Sequence, residues 1–254
     1  MVGGEFTAHF TVAGGHASFS CADNRYPVAV HEGKVTTIPV ARIYPSTFVD
    51  RIATDVAPQV CRMLEGIGLV DAVAFVQGIC DPETGRIVVF EAGLRSAGEA
   101  PCRFLGRVNK IDYMAGLVDV ALLGRSALDL SLDDPTLGGR CCGVVSFVAL
   151  GGRTVGSIEG LQDAVAACPG VVSHESRYPV GSITPDTDTL RQLMIRFVMD
   201  CPSRGELARE VAYLNDAVAV LDDVGRNMVV RPNPVALLHE PIAECGLHPR
   251  KGAL

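Results

Sequence analysis

The sequence has no tryptophan, and aromatic residues fill only 6% of its 254 positions. Apolar burial must therefore come from aliphatic side chains, and 27 Gly and 15 Pro make the chain turn-rich. An excess of positive charge is also lacking. Lys and Arg number 22 against 29 Asp and Glu, a formal net charge of −7, and the two signs interleave along the whole chain. With no basic stripe to neutralise a phosphate backbone, nucleic acid is not an expected partner. No run approaches the roughly 18–20 apolar residues of a membrane span, and the opening MVGGEFTAHFTV has no basic segment leading into an apolar one. The expectation is a soluble cytoplasmic protein without a membrane partner. The nine cysteines, an odd number, form no C-x-x-C and have no histidine at zinc spacing, which fits reduced thiols. What is present, 48% hydrophobic and 20% charged residues, suffices for one large core or two smaller ones and excludes disorder.

Along the chain, residues 5–12 alternate at once, with Phe6, Ala8, Phe10 and Val12 on one face and Glu5, Thr7, His9 and Thr11 on the other. Gly14-Gly15 turns this strand into a second one carrying Ala17, Phe19 and Cys21, a β-hairpin. From Tyr44 to Gly68 the spacing of Val49, Ile52, Val56, Val60 and Met63 is helical, and Pro58 predicts a kink or two shorter helices. Asp112–Leu123 reads as a helix ended by Gly124, and 125–139 as a polar domain boundary. Strands are expected at 142–150, 153–158, 171–178 and 190–200, with a helix at 159–167. Another helix begins at Ser203, which forms a capping box with Glu206 and buries Leu207, Val211, Leu214, Val218 and Leu221. The paired cysteines Cys141-Cys142 read as small buried apolar residues.

The segments AVAFVQGIC (72–80) and IVVFEAGLR (87–95) flank the turn-rich DPETGR. A register in which Asp81 faces Ile87 puts Gln77 opposite Glu91, and directly opposed residues share a face with Cβ atoms about 4.5–5.5 Å apart. Polar residues at strand ends often do no more than reach water. Here Arg95 follows Glu91 by four residues, and Glu5 and His31 lie on the preceding polar segments. Carboxylate and amide oxygens suit Mg²⁺, which commonly shares its ligands with phosphates, and a neighbouring Arg suits a phosphoryl group or acyl phosphate.

The run FVQGICDPETGRIVVFEAGLR resembles the metal-binding hairpin of the ATP-grasp enzymes, the family of carbamoyl phosphate synthase large subunits, biotin carboxylases and many carboxylate–amine ligases. The likeness extends to GGEFTAHFTVAGGHASFS, VHEGKVTTIPV, YPSTFVDRIATDVAPQVCRMLEGIG and NKIDYMAGLVDVALLG, and more weakly to 140–230. It implies an α+β fold: the C-terminal half of an ATP-grasp domain at 1–128, an antiparallel sheet with helices. A smaller α+β domain at 140–230 and an irregular tail at 231–254 would follow. It further implies ATP and Mg²⁺ as cofactors, Glu91 and Gln77 as metal ligands, Arg95 as the catalytic arginine, and Glu5 and His31 lining the nucleotide site.

Two departures from the family pattern stand out. The usual E-x-N-x-R is Glu91-Ala92-Gly93-Leu94-Arg95, so Gly93 replaces a metal-ligand Asn. The family's upstream Gly-rich phosphate loop and adenine-binding strand have no counterpart, and no other phosphate loop replaces them. The expectation is therefore half of an ATP site, binding Mg·ATP weakly alone and completed by a partner chain or a homo-oligomer. The leading reading is a ligase that phosphorylates a carboxylate for attack by an amine. The other is a non-catalytic interaction half.

Overall fold

The structure is a computed structural model and describes residues 3–28, 38–98 and 101–239. It is α+β, as expected. The opening hairpin forms: β1 (Gly4–Ala13) turns through Gly14 and Gly15, whose φ values of 58° and 84° suit glycine, into β2 (His16–Ala22). After β3 (Asn24–Pro27) and β4 (Pro39–Tyr44) comes the helical run α1 (Val49–Arg51) and α2 (Ala57–Gly66), with a π-helical stretch Ile52–Val56 between them. That stretch lies directly before Pro58, whose ring nitrogen has no proton to donate back along an α-helix, so the interruption expected there takes the form of a wider turn.

Next come β5 (Ala72–Cys80) and β6 (Ile87–Gly93), then α3 (Cys102–Val108) and α4 (Tyr113–Leu123). Asp112 caps α4 by accepting from the amides of Met114 and Ala115, and Gly124 ends it in the left-handed conformation. The remaining elements are β7 (Cys141–Ala149), β8 (Val155–Glu159), α5 (Leu161–Ala167), β9 (Val171–Ser176), β10 (Leu193–Cys201), α6 (Arg204–Ala217), β11 (Ala219–Asp222) and β12 (Val229–Val230). Ser203 accepts from the Glu206 amide at 3.2 Å, the cap read from the sequence. Cys141 and Cys142 are buried, and burial pushes both thiols up, Cys141 to about 11.

The first sheet runs β2-β1-β5-β6 and the second β3-β4-β7-β10-β9, with β12 also on β7 and a separate β8-β11 pair. Phe6, Phe10 and Val76 of the first sheet pack against Ile52, Val60 and Leu64 of the helical run. The opposite face is not open to water, contrary to its polar reading. Thr7, His9 and Thr11 are buried, and Cys21 and Val73 meet Phe104 and Leu105 of α3 together with Val144 and Val198 of the second sheet.

The division expected at 125–139 is crossed by strand pairing, since Ala41–Tyr44 of β4 pair with Cys142–Val145 of β7. The second sheet thus takes two strands from the part before 128 and joins the two expected units edge to edge. The polar stretch itself is packed rather than linker-like: Leu137 is fully buried, and Ser20 donates to Asp133 at 2.7 Å.

Between Ala22 and Asn24 the chain leaves the first sheet for the second, and Asp23 sits at that step, fully buried. Its carboxylate accepts from the Thr7 amide on β1 and from Arg42 on β4, both at 2.7 Å. One buried carboxylate therefore ties both sheets at the mouth of the site described next.

Candidate functional site

Three strands of the first sheet align the polar groups. Thr7 on β1 pairs with Gln77 on β5, and Gln77 pairs with Glu91 on β6, so the three side chains share one face in a row. The expected partnership of Gln77 and Glu91 is present, but its register is reached differently. Cys80, not Asp81, faces Ile87, and a bulge opposite Gln77 and Gly78 leaves Phe90 as an extra unpaired residue that restores the Gln77–Glu91 match.

Gln77 and Glu91 line a cleft of about 390 Å³ with Arg95, Arg25, Arg42, Phe75 and the Asp188-Thr189-Leu190 loop. Beneath it runs a hydrogen-bond chain. Gln77 Nε2 reaches Thr7 Oγ1 at a long 3.4 Å, and Arg42 donates to the same oxygen at 2.7 Å. This orients the Gln77 amide by its nitrogen and leaves Oε1 available as a ligand. Arg42 is in turn held by Asp23, the pair being almost wholly desolvated, at 6% and 0% side-chain exposure.

Arg95 stacks its guanidinium 4.8 Å from the centroid of the buried Phe75 ring and donates to the Ser96 carbonyl at 3.1 Å. Phe75 also accounts for the departure at Gly93. The two are directly paired, and a Cβ at position 93 would meet the ring at Cε1 and, at 2.5 Å, at Cζ. The ring that seats Arg95 fills the space a longer side chain at 93 would need.

Of the other expected site residues, Glu5 lies one pleat along the same face but does not line the cleft; it is ion-paired with Arg25, which does. His31 is outside the described residues. Arg25, Arg42, Asp23 and Asp188 were not identified from the sequence. Arg42 alone left a signal, as a charge inside the otherwise apolar PVARIY.

No group of three or more His, Cys, Asp or Glu side chains converges as a metal site among the described residues. The oxygen donors are one carboxylate and one amide, Glu91 and Gln77. Such a pair fits a hard cation that draws its further ligands from phosphates and water, as Mg²⁺ does, and does not fit zinc. Among the described residues no helix is long and apolar enough to cross a membrane.

No family model and no curated protein sequence matches the chain. Solved structures do. An L-amino acid ligase from Bacillus licheniformis superposes with a TM-score of 0.68 at 16% identity, over 86% of this chain and 54% of the ligase. Phosphoribosylglycinamide synthetase from Anaerococcus prevotii gives 0.66 at 11% identity, over 85% and 53%. The biotin carboxylase domain of Hydrogenobacter thermophilus 2-oxoglutarate carboxylase, solved with MgADP and bicarbonate, gives 0.65 at 12%, over 86% and 46%. These are ATP-grasp enzymes, and the chain has the fold of part of them. It spans about half the length of these structures.

Proposed function

We propose that the chain is the metal-binding and acceptor-binding part of an ATP-dependent ligase, one that activates a carboxylate as an acyl phosphate for attack by an amine. The observation that carries this reading is the directly opposed Gln77 and Glu91, with Arg95 in the same cleft, on a fold shared with ATP-grasp enzymes. Glu91 and Gln77 Oε1 would hold Mg²⁺, which supplies charge neutralisation for the nucleotide phosphates.

The chain's own residues do the rest. Arg95, its guanidinium seated over the Phe75 ring, presents a positioned cation to the incoming carboxylate and to the charge that develops on the transferring phosphoryl group. Because positioning and electrostatics dominate phosphoryl transfer, a pre-seated arginine contributes more than a mobile one. The Asp23–Arg42–Thr7 chain keeps Gln77 turned toward the cleft. The walls that enclose adenine lie beyond these residues, on a longer polypeptide or a partner chain, and the exposed Phe90 and Leu94 beside the cleft, at 54% and 57%, suit packing by that part.

The test is acyl phosphate trapping. The complete enzyme, incubated with ATP, Mg²⁺, a panel of carboxylates and hydroxylamine, is expected to form a hydroxamate with at least one of them. Glu91→Gln and Arg95→Ala should each lower the rate by about 10²-fold or more while the protein stays folded. Hydroxamate formation that survives both substitutions contradicts the assignment, and its absence across the panel favours a non-catalytic interaction half.

A further inference from the structure

A second recess, of about 500 Å³, is lined by Arg107, Val108, Lys110, Arg140 and Asp200 and shares no residue with the Gln77–Glu91 cleft. The end of α3, the residue before β7 and the end of β10 meet there. Asp200 anchors it, with a side chain only 7% exposed. Its amide donates to the Gly170 carbonyl at 2.8 Å, and its carboxylate accepts from Arg140 Nε at 2.6 Å and from the Cys142 thiol at 3.8 Å. Arg140 Nη2 also reaches the Asp200 carbonyl at 3.4 Å, and Arg107 Nε stands 3.7 Å from the other carboxylate oxygen. Two guanidiniums are thus seated on one buried carboxylate through Nε. Among the described residues, Arg140 Nη1 and both Nη groups of Arg107 are left for a further partner.

Lys110 supplies a third cation from a backbone that suits glycine. Its φ is 61°, the left-handed region in which a Cβ is crowded. The preceding residue sets this turn. Asn109, buried at 6% exposure, donates its amide to the Leu105 carbonyl at 2.8 Å and its side-chain nitrogen to the Asp134 carbonyl at 2.9 Å. A lysine held where glycine would relax the chain points to a use for its charge. The Lys110 ammonium donates to the Arg107 carbonyl at 2.9 Å, so it also covers the carbonyl end of α3, which would otherwise oppose an anion.

Three cations against one carboxylate give the recess a formal charge of +2, on a chain whose net charge is −7. A carboxylate ligand would balance half of it. A phosphate monoester carries about −1.5 to −2 at neutral pH and three acceptor oxygens, which balances the charge and offers an oxygen to each cation. The volume is that of a small-molecule pocket rather than of a single ion. We propose that this recess binds the phosphate group of a small phosphorylated molecule, with Arg107, Lys110 and Arg140 as the groups that hold it. The proposal goes beyond the ligase reading and does not depend on it, because the two sites have no residue in common.

The experiment is an NMR titration of the ¹⁵N-labelled chain, at constant ionic strength, with glycerol 3-phosphate, inorganic phosphate and acetate. Glycerol 3-phosphate is expected to shift the amides of Val108, Lys110 and Arg140 saturably, to bind at least as tightly as inorganic phosphate, and to bind about tenfold or more tightly than acetate. Lys110→Gly should weaken its binding about threefold or more. Because glycine fits the positive φ, that variant should be at least as resistant to urea as wild type, so lost binding is not lost folding. Lys110→Arg keeps the charge and should bind within about twofold of wild type, while Arg107→Gln, which leaves Asp200 its contact with Arg140, should again cost about threefold. Shifts confined to the Gln77–Glu91 cleft, acetate bound as tightly as glycerol 3-phosphate, or inorganic phosphate bound where glycerol 3-phosphate is not, each overturn the proposal. Binding unchanged in both Lys110→Gly and Arg107→Gln would mark an adventitious ion only and overturn it as well.

Discussion

Gly93 offers a quantitative probe because the cost of filling it is set by one neighbour. A Cβ there meets Phe75 at Cε1 and at Cζ, 2.5 Å away, while Phe75 Cδ1 is 3.3 Å away. Phe75 is buried at 2% exposure and directly paired, so the ring cannot swing into solvent. Gly93→Ala should therefore cost about 1–3 kcal/mol, the usual range for overpacking a tight core. Phe75→Leu removes Cε1 and Cζ and leaves only a branch near the Cδ1 position. In that background the same Gly93→Ala should cost less than about 0.5 kcal/mol, a coupling of roughly 1–2 kcal/mol between the two sites. Urea denaturation of the four proteins, read as midpoint shifts at constant slope, measures the cycle. An equal cost of Gly93→Ala in both backgrounds refutes the argument, and with it the account of why this position departs from the asparagine of the resembling motif.

Asp23→Ala removes the buried partner of Arg42 and the acceptor of the Thr7 amide, and should lower stability by about 3–5 kcal/mol in the same denaturation assay; a loss under about 1 kcal/mol contradicts its role in joining the sheets. Burial raises the Asp133 carboxyl above its ordinary value of 3.8, against the smaller opposing effects of its Ser20, Ser18 and Asn109 hydrogen bonds. The folded state thus favours the protonated form, and its contribution is complete below pH 3.8 and lost as pH rises through the folded value. Asp133→Asn should accordingly be more resistant to urea than wild type at pH 7, with the gap closing toward pH 3.8; a constant gap across that window contradicts it.

Much of the site was legible because a β-strand repeats every two residues. The pairing of Gln77 with Glu91, the helix ended by Gly124 and the start of the helix at Ser203 follow from local spacing and local caps, but that last helix stops at Ala217, and Leu221, expected on its buried stripe, lies half-buried on β11. What local pattern could not supply was the bulge: Phe90 looks like any other strand residue, and only the observed pairing shows that it is skipped. The joining of β4 to β7 was equally hidden, because it links positions about a hundred residues apart and leaves no periodic trace. It also explains why Thr7, His9 and Thr11, read as a polar face, are buried: a second sheet covers them.

The most direct test of the central claim, that Gln77 and Glu91 form a cation site for a bound nucleotide, is paramagnetic broadening by Mn²⁺ in the presence of ADP. Manganese accepts the same oxygen ligands as magnesium and broadens nearby amide signals even when binding is weak. The account predicts that the amides around Gln77 and Glu91 broaden first, that excess Mg²⁺ restores them, and that Glu91→Gln abolishes the effect in a protein whose spectrum is otherwise unchanged. Broadening centred elsewhere, or undiminished in Glu91→Gln, would contradict it.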